Sequence, residues 1–178
     1  MNTFLSNDDL KYLGFPNIIK YSDLANYRTI EDLLPIDKSY VIVLVESQPQ
    51  KGHWTCIMRY DNHIESFDSY GSMITHELDF VPTWMRNFLG ENKNLLERLL
   101  KQAKKDKWRV VYNRVHFQQQ KNGVNTCGRW VALRIQFMQM GYSLKQFQNF
   151  LLKQKDNTDL SYDQIVVRWV RLFNETYK

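Results

Sequence analysis

Residues 127–140 limit most strongly what this chain can fold into. Trp130, Val131, Leu133, Ile135, Phe137, Met138 and Met140 are apolar nearly all round a helix, and Arg129, Gln136 and Gln139 mark one wetter stripe. Such a helix must be covered over most of its surface, so the rest of the chain has to build a socket for it. Asn125 and Thr126 precede it as N-cap candidates, and Gly141 stands where a left-handed glycine would end it. Cys127 therefore falls in the first turn. Unpaired amides and the positive end of the helix dipole there favour a thiolate, the form of cysteine that attacks carbonyl carbons or binds metal. A buried structural cysteine is the competing reading, because free cysteines are commonly buried.

The segments around this helix read as an α+β domain. Residues 8–13, 21–27 and 29–34 form short helical pieces, punctuated by Gly14, Pro16 and Pro35. Residues 40–45 are β-branched and continuously apolar, the pattern of a strand covered on both faces. A second strand spans 53–60, Asp61-Asn62 turns the chain, and a third strand spans 63–68. His53 then begins one strand and Asp68 ends the next, which places both at the same end of a hairpin. Residues 73–85 read as irregular or briefly helical, and 91–105 as an amphipathic helix through Leu95, Leu96, Leu99, Leu100 and Ala103. A strand at 108–112, continuing toward Phe117 past Asn113-Arg114, leads to the Cys127 helix, and serine-capped helices follow at 143–155 and 161–177. The expected architecture is a small mixed β-sheet flanked by helices, with the nucleophile at the N-terminus of a buried central helix. One domain of 178 residues is long enough to bury a core without staples. It divides into a helical collar at 1–39, a catalytic body at 40–141 and C-terminal helices at 142–178.

A cysteine nucleophile needs a base within hydrogen-bond reach, and that base needs an orienting group. His53 and Asp68 on one hairpin and Cys127 at a helix start supply those types. The oxyanion formed in acyl transfer also needs donors, which helix-start amides and a side-chain amide can provide. Gln118, Gln119 and Gln120 precede the cysteine, with Asn122-Gly123 to turn the chain back. His63, His76 and His116 read as surface or hydrogen-bonded residues. A zinc site from Cys56, Cys127 and the histidines lacks paired-ligand spacing.

Gly52-His53-Trp54, then Phe67-Asp68-Ser69, then Gln120 and Asn125-Thr126-Cys127-Gly128 resemble the His-Trp, Asp, Gln, Cys-Gly order of the adenain and ubiquitin-like-protease clan of cysteine proteases. Papain-like enzymes carry the cysteine before the histidine, so the order argues against them. The resemblance spans 41–141 and implies an adenain-like fold. It implies that Cys127 is the nucleophile, His53 the general base and later acid, and Asp68 the group that holds the imidazole. Gln120 and the Cys127 amide would form the oxyanion hole, with Gln118 and Gln119 as rivals to Gln120. Trp54, Asn125 and Gly128 would contact substrate. The clan's branches are maturation proteases of the adenovirus type, expected here from a DNA virus or virophage, and proteases that remove ubiquitin-like modifiers. Both cleave after small residues, commonly glycine. The compact, basic chain is closer to the first branch, whereas an aspartate at 68 is what the second uses. The first expectation is therefore an endopeptidase of capsid or structural precursors. The alternatives are an isopeptidase acting on modifier conjugates and an inactive binding protein of the same fold.

The net charge of +5 is concentrated at Lys101, Lys104, Lys105, Lys107 and Arg109. That run suits a solvated helix end, and DNA is the anionic partner it would meet. The expectation is no required cofactor, with DNA or a peptide as candidate activator. Two cysteines make no disulfide framework and point to a reducing compartment. Neither a secretory start nor an apolar run of membrane-spanning length is present. The expected location is the virion, or host cytoplasm or nucleus, without secretion or membrane partner.

Overall fold

The computed structural model describes residues 4–71, 81–91, 93–121 and 123–176. The stretch read as irregular at 73–85 falls largely outside them, together with His76; its described end begins a short helix, as set out below. Among the described residues, five strands form one mixed sheet in sequence order: β1 Ile18–Lys20, β2 Ser39–Gln48, β3 Lys51–Tyr60, β4 His63–Phe67 and β5 Arg109–Tyr112. The inner strands β2, β3 and β4 run antiparallel, while β1 and β5 add in parallel at the two edges. The helices are α1 Asn7–Tyr12, a 3-10 helix at Tyr21–Asn26, α2 Ile30–Leu33, α3 Thr83–Leu89, α4 Leu95–Lys105, α5 Cys127–Gln139, α6 Leu144–Asp156 and α7 Tyr162–Thr176.

Strand alternation divides the interior between the two faces of the sheet. Ile42, Leu44, Trp54, Cys56, Met58 and Phe67 pack with α5, α6 and α7, while Val41, Val43, Val45, Ile57 and Ile64 pack with α2, the 3-10 helix and α4. The continuously apolar β2 is buried on both sides, as its composition requires.

Three local expectations are corrected. The collar is not wholly helical, because Ile18–Lys20 joins β2 in parallel with Ile18 opposite Ile42. Three residues are too few to display an alternation. The strand expected from 108 ends at Tyr112 instead of continuing toward Phe117, because Asn113 turns its side chain inward to the Asp68 and Val115 carbonyls. The amphipathic helix begins at Leu95 and not at 91, since the Glu91 carboxylate is buried and accepts the Glu46 amide at 2.9 Å.

The helix α5 sits in the socket its sequence demands, with Trp130, Val131, Leu133, Ile135 and Met138 buried. It ends as expected, Gly141 at φ 90° donating to the Met138 carbonyl and Tyr142 to that of Phe137, both at 2.9 Å. Arg134 is the exception within it. The guanidinium is fully buried and grips Glu65 of β4 through two bonds, Nε at 2.8 Å and Nη2 at 2.7 Å, while the Tyr60 hydroxyl donates to the same carboxylate at 2.5 Å.

Removing one member of a buried ion pair strands the other in the core. Arg134→Met should therefore lower the unfolding free energy by about 3–5 kcal/mol in urea titrations. Adding Glu65→Leu to that variant should recover most of the loss.

Candidate active site

The Gly-His-Trp sequence owes its glycine to strand packing. A Cβ on Gly52 would lie 1.9 Å from the Val45 carbonyl oxygen, so no other residue fits beside β2 there. That fit brings His53 to the edge of the cleft. Asp68 follows β4 directly, and its Oδ1 lies 2.7 Å from His53 Nε2, with the two residues only 7% and 6% exposed. The expectation that one end of the hairpin carries both is met. The Asp68 Oδ1 also accepts the Tyr70 amide at 2.9 Å, and the Asp68 carbonyl accepts the Asn113 side-chain amide at 2.6 Å. Asn113 also receives a bond from Gln148 of α6 at 3.0 Å. Its buried role had no sequence signal beyond the break in the strand pattern.

Cys127 opens α5, and its sulfur is hydrogen-bonded by His53 and by the backbone amides of Trp54 and Gly128. With Nε2 committed to Asp68, Nδ1 is the nitrogen left for the sulfur. Burial alone raises the Cys127 thiol, but the hydrogen bond and charge of His53, then the two amides, outweigh it and hold the thiol below its ordinary value. Burial also disfavours a charged His53, yet Asp68 and then Cys127 overcome it and push the imidazole up to about 10. Between those two limits the couple is a thiolate beside an imidazolium.

The start of α5 is arranged for this. Thr126 is the N-cap residue but makes no side-chain cap, because its hydroxyl donates to Asp163 of α7. In α1 and α6 a serine fills that role through a full capping box. The uncapped amide of Gly128 is thereby left to the sulfur. Asp163 also accepts the Gln119 amide at 3.0 Å and the Trp130 indole at 3.5 Å. The C-terminal helices, which carried no diagnostic motif, thus hold the segment that presents Cys127.

A cleft of about 350 Å³ opens at Cys127; His53, Gln120 and Asn125 line it, with Phe4, Tyr70 and Gln118. The three glutamines separate clearly. Gln118 is buried and braced, its Oε1 accepting the Ser69 hydroxyl at 2.8 Å and its Nε2 donating to Tyr70 and Val124. Gln119 is fastened through its backbone to Asp163. Gln120 has an exposed side chain at the cleft.

Trp54 and Gly128, expected to contact substrate, are both held by internal packing, and Trp54 also lines a neighbouring groove. The Trp54 indole is 5% exposed, packs in the core with Cys127, and donates to the Leu5 carbonyl at 2.9 Å. A Cβ on Gly128 would meet the Leu5 side chain at 2.9 Å and Trp54 at 3.3 Å, so the glycine serves internal packing. Their backbone amides bond to the Cys127 sulfur.

Among the other candidates, His63 stacks on Tyr60 with centroids 5.5 Å apart, and exposed His116 lies 6.1 Å from the Tyr70 ring. Cys56 and Cys127 are both free, and burial followed by the Glu65 charge raises the Cys56 thiol well above its ordinary value. No group of three or more His, Cys, Asp or Glu residues arranged to hold a metal occurs among the described residues. There, too, no helix is long and apolar enough to cross a membrane. The exposed Lys101, Lys104, Lys105, Lys107 and Arg109 lie in and just beyond α4, which packs on the sheet face opposite Cys127. Lys101 pairs with Glu97 at 2.7 Å, and Lys104 lies 5.2 Å from the centre of the Tyr112 ring.

No family model matches the chain, and no solved structure matches it. It is 34% identical over 134 residues to the uncharacterized protein V9 of Sputnik virophage, an alignment covering 74% of each protein.

The electrostatics set a measurable pH window. Alkylation of Cys127 by iodoacetamide should rise through a midpoint below that of an ordinary thiol, since a depressed pKa means the thiolate persists above it. In His53→Ala burial is left without its main counterweight, so the midpoint should move upward. An unchanged midpoint would remove the His53–Cys127 pairing.

Proposed function

The chain belongs to the family of the Sputnik virophage protein V9, and we propose that it is a cysteine endopeptidase that cleaves viral capsid or structural precursor proteins after small residues. The observation that carries this reading is the buried line Asp68–His53–Cys127, ending on a sulfur at an open helix N-terminus beside a cleft. The virophage origin of the relative supports a viral precursor as substrate.

The chemistry follows from the groups present. The Cys127 thiolate attacks the scissile carbonyl carbon, and the electron pair moves onto the carbonyl oxygen. The Cys127 backbone amide and the Gln120 side-chain amide receive that oxyanion. His53, already protonated, gives its proton to the departing amine as the C–N bond breaks. A water then loses a proton to His53 and attacks the thioester, releasing the acid and restoring the thiolate. Asp68 keeps the imidazole oriented and stabilises its charge throughout. An extended substrate has a path, because the cleft shares Phe4, Ser47 and Gly52 with a neighbouring groove of about 720 Å³ beside Trp54.

Asp68 is the feature in common with modifier-removing proteases, and it favours an isopeptidase as the second reading. DNA contact through Lys101, Lys104, Lys105, Lys107 and Arg109 would act from the opposite face of the sheet, as an activator and not as part of the cleft.

Incubation of the protein with candidate precursors bearing small-residue sites should give cleavage that Cys127→Ala reduces by about 10⁴-fold or more while melting behaviour stays close to the parent. A fully active Cys127→Ala variant would end the proposal, and rapid labelling by a ubiquitin-like suicide probe, with no precursor cleaved, would replace it by the isopeptidase reading. Gln120→Ala should lower kcat by about 10²–10³-fold with little change in melting. Gln118→Ala should chiefly lower stability, and the reverse pattern would move the oxyanion role to Gln118. Duplex DNA should raise turnover in a salt-sensitive way; turnover and binding indifferent to both would discard the DNA contact.

A further inference from the structure

We propose that Tyr70 is a positioning residue for His53, acting through the face of its ring to hold the imidazole in plane and favour its charged form. The inference rests on the reading of His53 and Cys127 as a catalytic couple and adds a fourth member to it.

Tyr70 touches the line of charge at two points. Its amide donates to Asp68 Oδ1 at 2.9 Å, the same oxygen that lies 2.7 Å from His53 Nε2. Its ring stacks on the imidazole with centroids 4.5 Å apart and planes inclined by only 19°. A ring so placed blocks rotation of the imidazole out of the plane that contains both Asp68 and Cys127. Its π face also carries negative electrostatic character, which attracts a cation more than a neutral ring.

The tyrosine is itself fixed. The Gln118 amide donates to its hydroxyl at 3.2 Å, and Gln118 is held in turn by Ser69 at 2.8 Å. The turn that delivers it closes with Gly71 at φ 67° donating to the Asp68 carbonyl at 3.0 Å. A side chain at Gly71 would come within 2.9 Å of the Arg114 and Val115 backbone, so this turn requires glycine. Burial, then the charges of Cys127 and Asp68, push the Tyr70 hydroxyl up to about 12, so the ring remains a neutral phenol in the working range.

The titratable groups facing the imidazole are Asp68 after β4, Cys127 at the start of α5 and Tyr70; His116 lies 6.1 Å from the Tyr70 ring, and Asp163 of α7 contributes charge near its hydroxyl. Replacing the ring should therefore be read against a constant background of these groups.

The test compares Tyr70→Phe, Tyr70→Leu and a variant carrying a heavily fluorinated phenylalanine at position 70. Its readouts are iodoacetamide alkylation of Cys127 against pH, and kcat and KM on a cleaved peptide. Cys56 is fully buried with a raised thiol and contributes no competing signal. The Phe variant keeps the ring and loses only the bond from Gln118, so its pH midpoint and turnover should lie closer to the parent than those of the Leu variant. The Leu variant should move the midpoint upward and lower kcat by about 10-fold, with KM little changed. The fluorinated ring keeps the shape but removes the negative face, and should move the midpoint in the same direction as Leu even where Leu itself melts too early to assay.

A folded Leu or fluorinated variant with the parent midpoint would overturn the proposal, as would a Phe variant that loses as much as Leu, since the hydroxyl and not the ring would then matter. If the parent protein itself shows an ordinary thiol midpoint, the catalytic couple fails and Tyr70 with it. A shifted parent midpoint that Tyr70 variants leave untouched sinks only the role of Tyr70.

Discussion

Burial of α5 on nearly every side is the constraint from which the rest of the molecule follows. Enclosing a helix strips water from its polar groups, and each then needs a protein partner. Arg134 finds Glu65 on β4, and Thr126 and the Trp130 indole find Asp163 on α7. The bonds that satisfy α5 are therefore also the bonds that fix it against the hairpin on one side and the C-terminal helices on the other. Cys127 is the first residue of that helix, so its position relative to His53 is inherited from these distant anchors.

At the cysteine itself two effects of burial compete. Desolvation opposes both charged forms, the thiolate and the imidazolium. Proximity of the two charges, with Asp68 behind the histidine and two backbone amides on the sulfur, reverses the balance for each. A buried ion pair is a poor source of stability, because its desolvation offsets much of the attraction. Here it keeps a thiolate and a proton donor side by side at the head of α5. The contrast with Cys56 makes the point within one protein. That thiol is equally buried but has Glu65 nearby and no cationic imidazole on its sulfur, so its value rises.

How legible the site was in the sequence depends on how local its determinants are. His53 and Asp68 were placed together because a two-residue turn and strand periodicity fix the ends of a hairpin, and the structure keeps that geometry. The Cys127 helix was legible from its apolar periphery. What escaped the sequence is what depends on a partner far along the chain. Asp163 looks like an ordinary first-turn acid of α7, and nothing local says that it reaches Gln119 and Thr126. Arg134 sits among apolar residues, and only Glu65 across the core explains it. Asn113 reads as a break in a strand and Gln118 as a rival to Gln120, and neither reading shows that each is 1% exposed and held by bonds to distant partners. β1 was missed for a different reason, since three residues carry too little pattern to identify.

The N-terminal collar shows how a segment far from Cys127 in sequence shapes the surroundings of its sulfur. Leu5 supplies the carbonyl that holds the Trp54 indole and fills the space above Gly128. The amides of those same two residues are the ones that bond to the Cys127 sulfur. Displacing the collar would leave the Trp54 indole without its acceptor and open the space above Gly128, beside the sulfur. The glycine after the cysteine is thus required by the approach of Leu5, and the indole after the histidine is held by the Leu5 carbonyl.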